Sequence, residues 1–101
     1  MITSKQRAWL RARANSLESE CQIGKSVLSD TFLQGLDEMM TTHELVKVVV
    51  HKHVDADVRV LAGQVAEALQ ADLVQVIGRR FVLYRPSEKL MRKGQSLQLP
   101  G

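Results

Sequence analysis

One cysteine, Cys21, is the only thiol in the chain. A lone cysteine cannot close an internal disulfide, and no CxxC or Cys/His cluster accompanies it to build a zinc site. That usage suits a reducing compartment, and Cys21 reads as a small buried or half-buried hydrophobe. No apolar run approaches the roughly 20 residues that a helix needs to cross a bilayer. The opening segment, MITSKQRAWLRARA, lacks the apolar core of a signal peptide. A cytoplasmic protein with no membrane partner is therefore expected.

Catalytic patterns are missing as well. There is no GxSxG elbow and no Walker loop, and Cys21 has no setting that would activate it. Asp37 and Glu38 are adjacent on a helix and diverge, so they cannot converge on one substrate. The histidines are His43, His51 and His53. His51 and His53 stand at i, i+2 and share a face if their strand continues, so a metal pair is imaginable. A third ligand is not evident, because Asp55 and Asp57 fit helix caps better. The pair reads as polar strand-end residues or as residues facing nucleic acid. No enzyme activity, cofactor or metal is expected.

What is present suffices for one domain. The chain has 101 residues, of which 45% are hydrophobic, enough to bury a single core. Fourteen Lys and Arg face 11 Asp and Glu, for a formal charge of +3. The excess is mild, so its placement says more than its size.

Thr3-Ser4-Lys5-Gln6 has the form of a capping box and predicts a helix from Ser4 to about Leu17. Leu10, Ala14 and Leu17 give its buried stripe. Lys5, Arg7, Arg11 and Arg13 fall outside that stripe, with no acid before Glu18. Cations near a helix N-terminus oppose the dipole, which hints at an external anion. Glu20 to Ile23 is a short extended segment, followed by the loop Gly24-Lys25-Ser26-Val27. Ser29 caps a second helix, about Asp30 to Thr42, with Phe32, Leu36, Met39 and Met40 as its apolar stripe. Leu45 to His51 is the clearest strand, rich in β-branched residues. Val46, Val48 and Val50 face one way; Lys47, Val49 and His51 face the other. Asp55 is the expected cap of a third helix over Ala56 to Ala71. Leu73 to Ile77 and Phe81 to Arg85 are two further strands joined by the hairpin Gly78-Arg79-Arg80. Pro86 ends the last strand. The tail, residues 87–101, is a short helix or disordered.

The order α-β-α-β-α-β-β predicts an α/β (α+β) domain over residues 1–86, with a four-stranded mixed sheet and three helices. No internal repeat or linker interrupts it. The loop from Gly24 precedes a helix N-terminus, where backbone N–H groups attract phosphate, and Lys25 adds a mobile charge. The Arg-rich first helix, Lys25, the run His51-Lys52-His53 and the hairpin Arg79-Arg80 are four separate basic elements. Brought together, they would bind RNA phosphates through counterion release.

Several blocks carry a more specific likeness. They are Thr3 to Ala8 with Leu10-Arg11, Gln22-Ile23-Gly24-Lys25, Glu44 to Val48, Leu73 to Arg79, and Val82 to Arg85. In this order and spacing the chain resembles the bacterial YhbY family, whose members carry the CRM (chloroplast RNA splicing and ribosome maturation) domain. The resemblance spans about Thr3 to Tyr84. It implies a fold similar to the C-terminal domain of translation initiation factor three. It also implies association with precursor large ribosomal subunits and their RNA, without catalysis. In the family a GxxG loop contacts the RNA backbone, with a role like that of the KH-domain loop. Carried over, its first glycine is Gly24 and its cation Lys25. Val27 stands where the family usually has the second glycine, and valine does not readily take positive φ. The expected RNA-binding residues are Lys5, Arg7, Arg11, Gly24, Lys25, Ser26, His51, Lys52, His53, Arg79 and Arg80. The expected state is a monomer. The alternative function is a protein-interaction adaptor docking on ribosomal proteins or another assembly factor, with Trp9 as its anchor.

Overall fold

Thr3 opens the first helix in the manner its sequence implies. Its hydroxyl accepts from the Gln6 N–H at 3.1 Å, and Gln6 Oε1 accepts from the Thr3 N–H at 2.9 Å. In the computed structural model, which describes residues 2–17, 20–24 and 28–101, eight elements follow one another. They are α1 (Ser4–Ala14), β1 (Glu20–Ile23), α2 (Asp30–His43), β2 (Leu45–Val50), α3 (Val58–Leu69), β3 (Asp72–Ile77), β4 (Arg80–Tyr84) and α4 (Glu88–Arg92). The mixed four-stranded sheet is as expected, and α4 joins the three anticipated helices.

The strands lie in the order β1-β2-β4-β3. β1 is parallel to β2, while β4 is antiparallel to both β2 and β3. Three strands therefore run one way and β4 runs back between two of them. The C-terminal ends of β1, β2 and β3 and the β3–β4 turn all emerge at the same end of the sheet.

Each sheet face buries its own cluster. On one face Val46, Val48 and Val50 of β2, Phe81 and Leu83 of β4 and Ile23 of β1 pack under α2 and α3. On the other, Leu45, Val74, Val82 and Tyr84 pack under Leu10 and Ala14 of α1. Leu97 and Leu99 of the C-terminal tail join that second cluster, as does the half-buried Trp9. Alternation along β2 and β4 produces the two sets, because successive side chains point to opposite faces.

Several boundaries differ from expectation for local reasons. α1 stops at Ala14, with Asn15 as its C-cap, so Leu17 lies beyond the helix although it still packs on the core. α3 starts later than Ala56. Asp57, and not Asp55, is the cap: its carboxylate accepts from the N–H groups of Arg59 and Val60 at 2.9 and 3.3 Å. The tail, residues 87–101, forms the short helix α4 and packs back onto the domain. After α4 it returns to the buried carboxylate of Glu44, which accepts from Ser87 N, Ser96 Oγ and Leu97 N, each at 2.7 Å.

Candidate nucleic-acid interface

The end of the sheet where three strands finish gathers residues far apart in sequence. The His51 N–H donates to the Ile23 carbonyl at 2.9 Å, which carries the ladder to the last residue of β1 and sets Gly24 beside the His51 strand end. Gly24, His51, His53 and Val54 line one shallow cleft of about 220 Å³. The two imidazoles lie with ring centroids 4.7 Å apart, tilted by 33°. The Val50 N–H donates to the Arg79 carbonyl at 2.7 Å, bringing the β3–β4 turn to the same place. Gly78 holds that turn with φ of 57°, a conformation glycine takes without cost. His51, Lys52, His53 and Arg80 are exposed there.

Arg79 is different from its neighbours. Its Nε donates to the Val50 carbonyl at 3.3 Å, and its Nη2 donates to the carbonyls of His51 and Val54 at 2.9 and 2.7 Å. The side chain is half-buried and ties the hairpin to the loop between β2 and α3. Arg7 behaves similarly on the opposite face. Its Nη1 donates to the carbonyls of Leu73 and Val74 at the start of β3. Both arginines thus spend donors on backbone oxygens, with Nη1 of Arg79 left uncommitted among the described residues.

Arg11 follows Arg7 by four residues, and Asn15 follows Arg11 by four, so the three share one side of α1. Arg7 marks the Leu73 end of that side. Asn15 lines a second cleft with Ile77 and Arg80 at the other end. Arg11, exposed, therefore lies along β3 and one turn short of the basic sheet end. Lys5 sits in the first turn, roughly 15 Å along the axis from Asn15 at 1.5 Å per residue. It is exposed and is not gathered with the others. Lys25 and Ser26, like Val27, lie outside the described residues.

Among the described residues the ion pairs are Arg85–Asp37 at 2.7 Å and Arg92–Glu88 at 3.6 Å. Neither involves the basic sheet end, and the nearby Asp57 carboxylate is occupied with its helix cap. Among the described residues, the cations at that end therefore have no ion-paired carboxylate. No group of three His, Cys, Asp or Glu able to hold a metal exists among the described residues, and no described helix is long and apolar enough to cross a membrane. Cys21 is half-buried in the first cluster, and that burial pushes its thiol pKa up, opposite to what a reactive thiolate needs.

Lys47, Gln75 and Asn15, which the sequence does not single out, line the second cleft. The signal for Lys47 is its place in β2: the only cation of that strand, on the face opposite Val46 and Val48.

An exposed cationic strand end on a small α/β sandwich is the candidate surface that the geometry singles out. Comparison with known proteins assigns the family. The model of the CRS1/YhbY (CRM) domain matches residues 2–85, and the chain belongs to that family. A Bacillus subtilis protein named "Probable RNA-binding protein YqeI" is 31% identical over 99% of this chain and its own full length. A Haemophilus influenzae protein named "RNA-binding protein" is 29% identical over 98% of this chain and 95% of its own. The solution structure of SAV1595 from Staphylococcus aureus superposes with a TM-score of 0.78 at 34% identity, over 99% of this chain and all of the other.

Proposed function

We propose that this protein binds RNA through the basic end of its sheet and acts, without catalysis, as an assembly factor on precursor large ribosomal subunits. The observation that carries the RNA reading is the convergence of Gly24, His51, Lys52, His53 and Arg80 at one sheet end, with no carboxylate paired to any of them among the described residues. Unpaired cations on a shared surface displace the counterions condensed on RNA phosphates. The tilted His51–His53 pair offers ring faces on which unpaired bases stack. The RNA-binding names of full-length relatives support the same reading.

Within this proposal the residues divide by role. Lys52, Arg80 and Arg11 contact phosphates, joined by Lys25 and Ser26 of the loop that begins at Gly24. Arg79 and Arg7 chiefly hold the scaffold, because backbone carbonyls already take their donors. Lys5 contributes only to an RNA long enough to follow α1. The adaptor alternative is less favoured, since Trp9 is half-buried against the second core and the Arg13 guanidinium lies 5.1 Å from its ring centroid. Little bare aromatic surface is left to anchor a protein partner.

Crosslinking in cells, followed by sequencing of the attached RNA, tests the ribosomal part: recovery of large-subunit RNA is expected, and a scatter of unrelated messages contradicts it. Salt titration tests the site. Replacing Lys52 and Arg80 by glutamine reduces the log–log slope by about 0.7 per lost single-strand phosphate contact, with thermal stability within about 0.5 kcal/mol of wild type. An unchanged slope removes both residues from the interface.

A further inference from the structure

A second concavity lies on the other face of the sheet, beyond the C-terminal end of α1. It is a cleft of about 130 Å³ bounded by Asn15, Lys47, Gln75, Ile77, Arg80 and Val82. Strand register explains its rows. Lys47 pairs with Val82, which pairs with Gln75; one row on, Val49 pairs with Arg80, which pairs with Ile77. Because α1 ends at Ala14, the Lys47–Val82–Gln75 row lies under the last turn of the helix and the Val49–Arg80–Ile77 row lies beyond it, where Ile77 is 63% exposed.

The chemistry of this cleft differs from that of the sheet end. Its floor is apolar, formed by Val82 and Ala14. Its walls carry two carboxamides, Asn15 and Gln75, and two cations, Lys47 and Arg80. None of these four side chains has a hydrogen-bond or ion-pair partner among the described residues, although Glu20 stands opposite Lys47 on β1. A carboxamide presents a donor and an acceptor in one plane, the complement of a nucleobase edge. A free anion would be served by cations alone and has no use for an apolar floor between two amides. A docking protein helix needs a longer apolar stripe than the single Ile77 supplies.

We propose that this cleft receives one unstacked nucleobase of a single-stranded RNA segment, with Asn15 and Gln75 meeting its edge and Lys47 and Arg80 its flanking phosphates. The proposal rests on the RNA-binding reading and deepens it. Arg80 belongs both to this cleft and to the basic sheet end, so the strand passes from one to the other around the β3–β4 turn. Recognition of splayed bases by polar edges is how single-stranded RNA is generally read.

The test compares a short single-stranded RNA with an abasic strand of the same length, by fluorescence anisotropy over a range of salt. Asn15→Ala combined with Gln75→Ala lowers affinity for the base-bearing strand roughly tenfold, as expected for lost edge hydrogen bonds. Both changes are neutral, so the salt slope stays as in wild type, and affinity for the abasic strand does not change. Equal loss on both strands, or no loss on either, overturns the base cleft while leaving RNA binding intact. If wild type binds neither strand, the RNA reading itself fails. A second measurement needs no variant: amide resonances of Lys47, Gln75, Ile77 and Arg80 shift on titration with the base-bearing strand. Shifts confined to Gly24, His51 and His53 overturn the proposal.

Discussion

The guanidinium of Arg79 donates to the carbonyl of Val54 at 2.7 Å, across 25 residues of chain. With the bonds to His51 and Val50 it closes the loop between β2 and α3 onto the β3–β4 turn. The sequence suggests a phosphate contact for this basic residue at a hairpin tip; within the proposed interface its three carbonyl bonds make it a positioning residue for Lys52 and the histidines.

Arg79→Lys separates the two roles. Lysine keeps the charge but loses the planar fork that serves three carbonyls at once. Stability falls by about 1–3 kcal/mol in denaturant unfolding, the range for hydrogen bonds with a charged donor. The salt slope of RNA binding remains that of wild type. Unchanged stability would show that the three carbonyl bonds do not hold the scaffold and would overturn the positioning role.

Much of the fold is legible in the sequence because side-chain period and caps are local. The alternation in Leu45 to Val50 announces a strand with two distinct faces, and the Thr3–Gln6 reciprocal cap appears as the pattern suggests. The α3 cap is less legible, since Asp55 and Asp57 are equally plausible by type. Only the backbone path decides, and it delivers the N–H groups of Arg59 and Val60 to Asp57. The candidate site is harder still. That Gly24, His51 and Arg80 share one end follows from strand order, and order depends on packing over long sequence separations. Whether an arginine faces solvent or a carbonyl depends on neighbours from another element, as Arg7 and Arg79 both demonstrate.

The two aspartates give a clean comparison. Asp57→Ala removes an N-cap and costs about 1 kcal/mol. Asp55→Ala, at an exposed position without such a bond, changes stability by less than about 0.5 kcal/mol. Chemical denaturation of both variants checks this, and equal effects would contradict the cap assignment.

Glu44 organises the return of the tail. It is 0% exposed, takes φ of 59°, and accepts three hydrogen bonds from residues 87, 96 and 97. Glu44→Gln keeps the shape but places an NH₂ group against these donors. A loss of about 2–3 kcal/mol is expected, because bonds to a charged acceptor are lost and a donor is left facing donors. Hydrogen exchange localises the effect: the amides of Ser87 and Leu97 lose protection before those of β2 and β4. Uniform loss across the sheet would instead mean that Glu44 supports the whole core directly.

Tyr84 makes stability depend on alkaline pH in a defined direction. Burial raises its pKa above the ordinary 10.0, and the carboxylates of Glu44 and Asp72 push the same way. The folded protein therefore keeps the phenolic proton at a pH where the unfolded chain has released it. Over that window the unfolded state binds fewer protons than the folded state, so stability falls as pH rises. The contribution is fully present below the unfolded value and is lost as pH climbs through the folded one. The diagnostic quantity is the difference between wild type and Tyr84→Phe, in which every other group cancels. Phenylalanine fills the same place in the second cluster and has no proton to lose. Urea unfolding from about pH 9 to 11 yields a steeper decline for wild type than for Tyr84→Phe. Parallel declines would show that the phenol ionises as easily in the folded protein as in the unfolded chain.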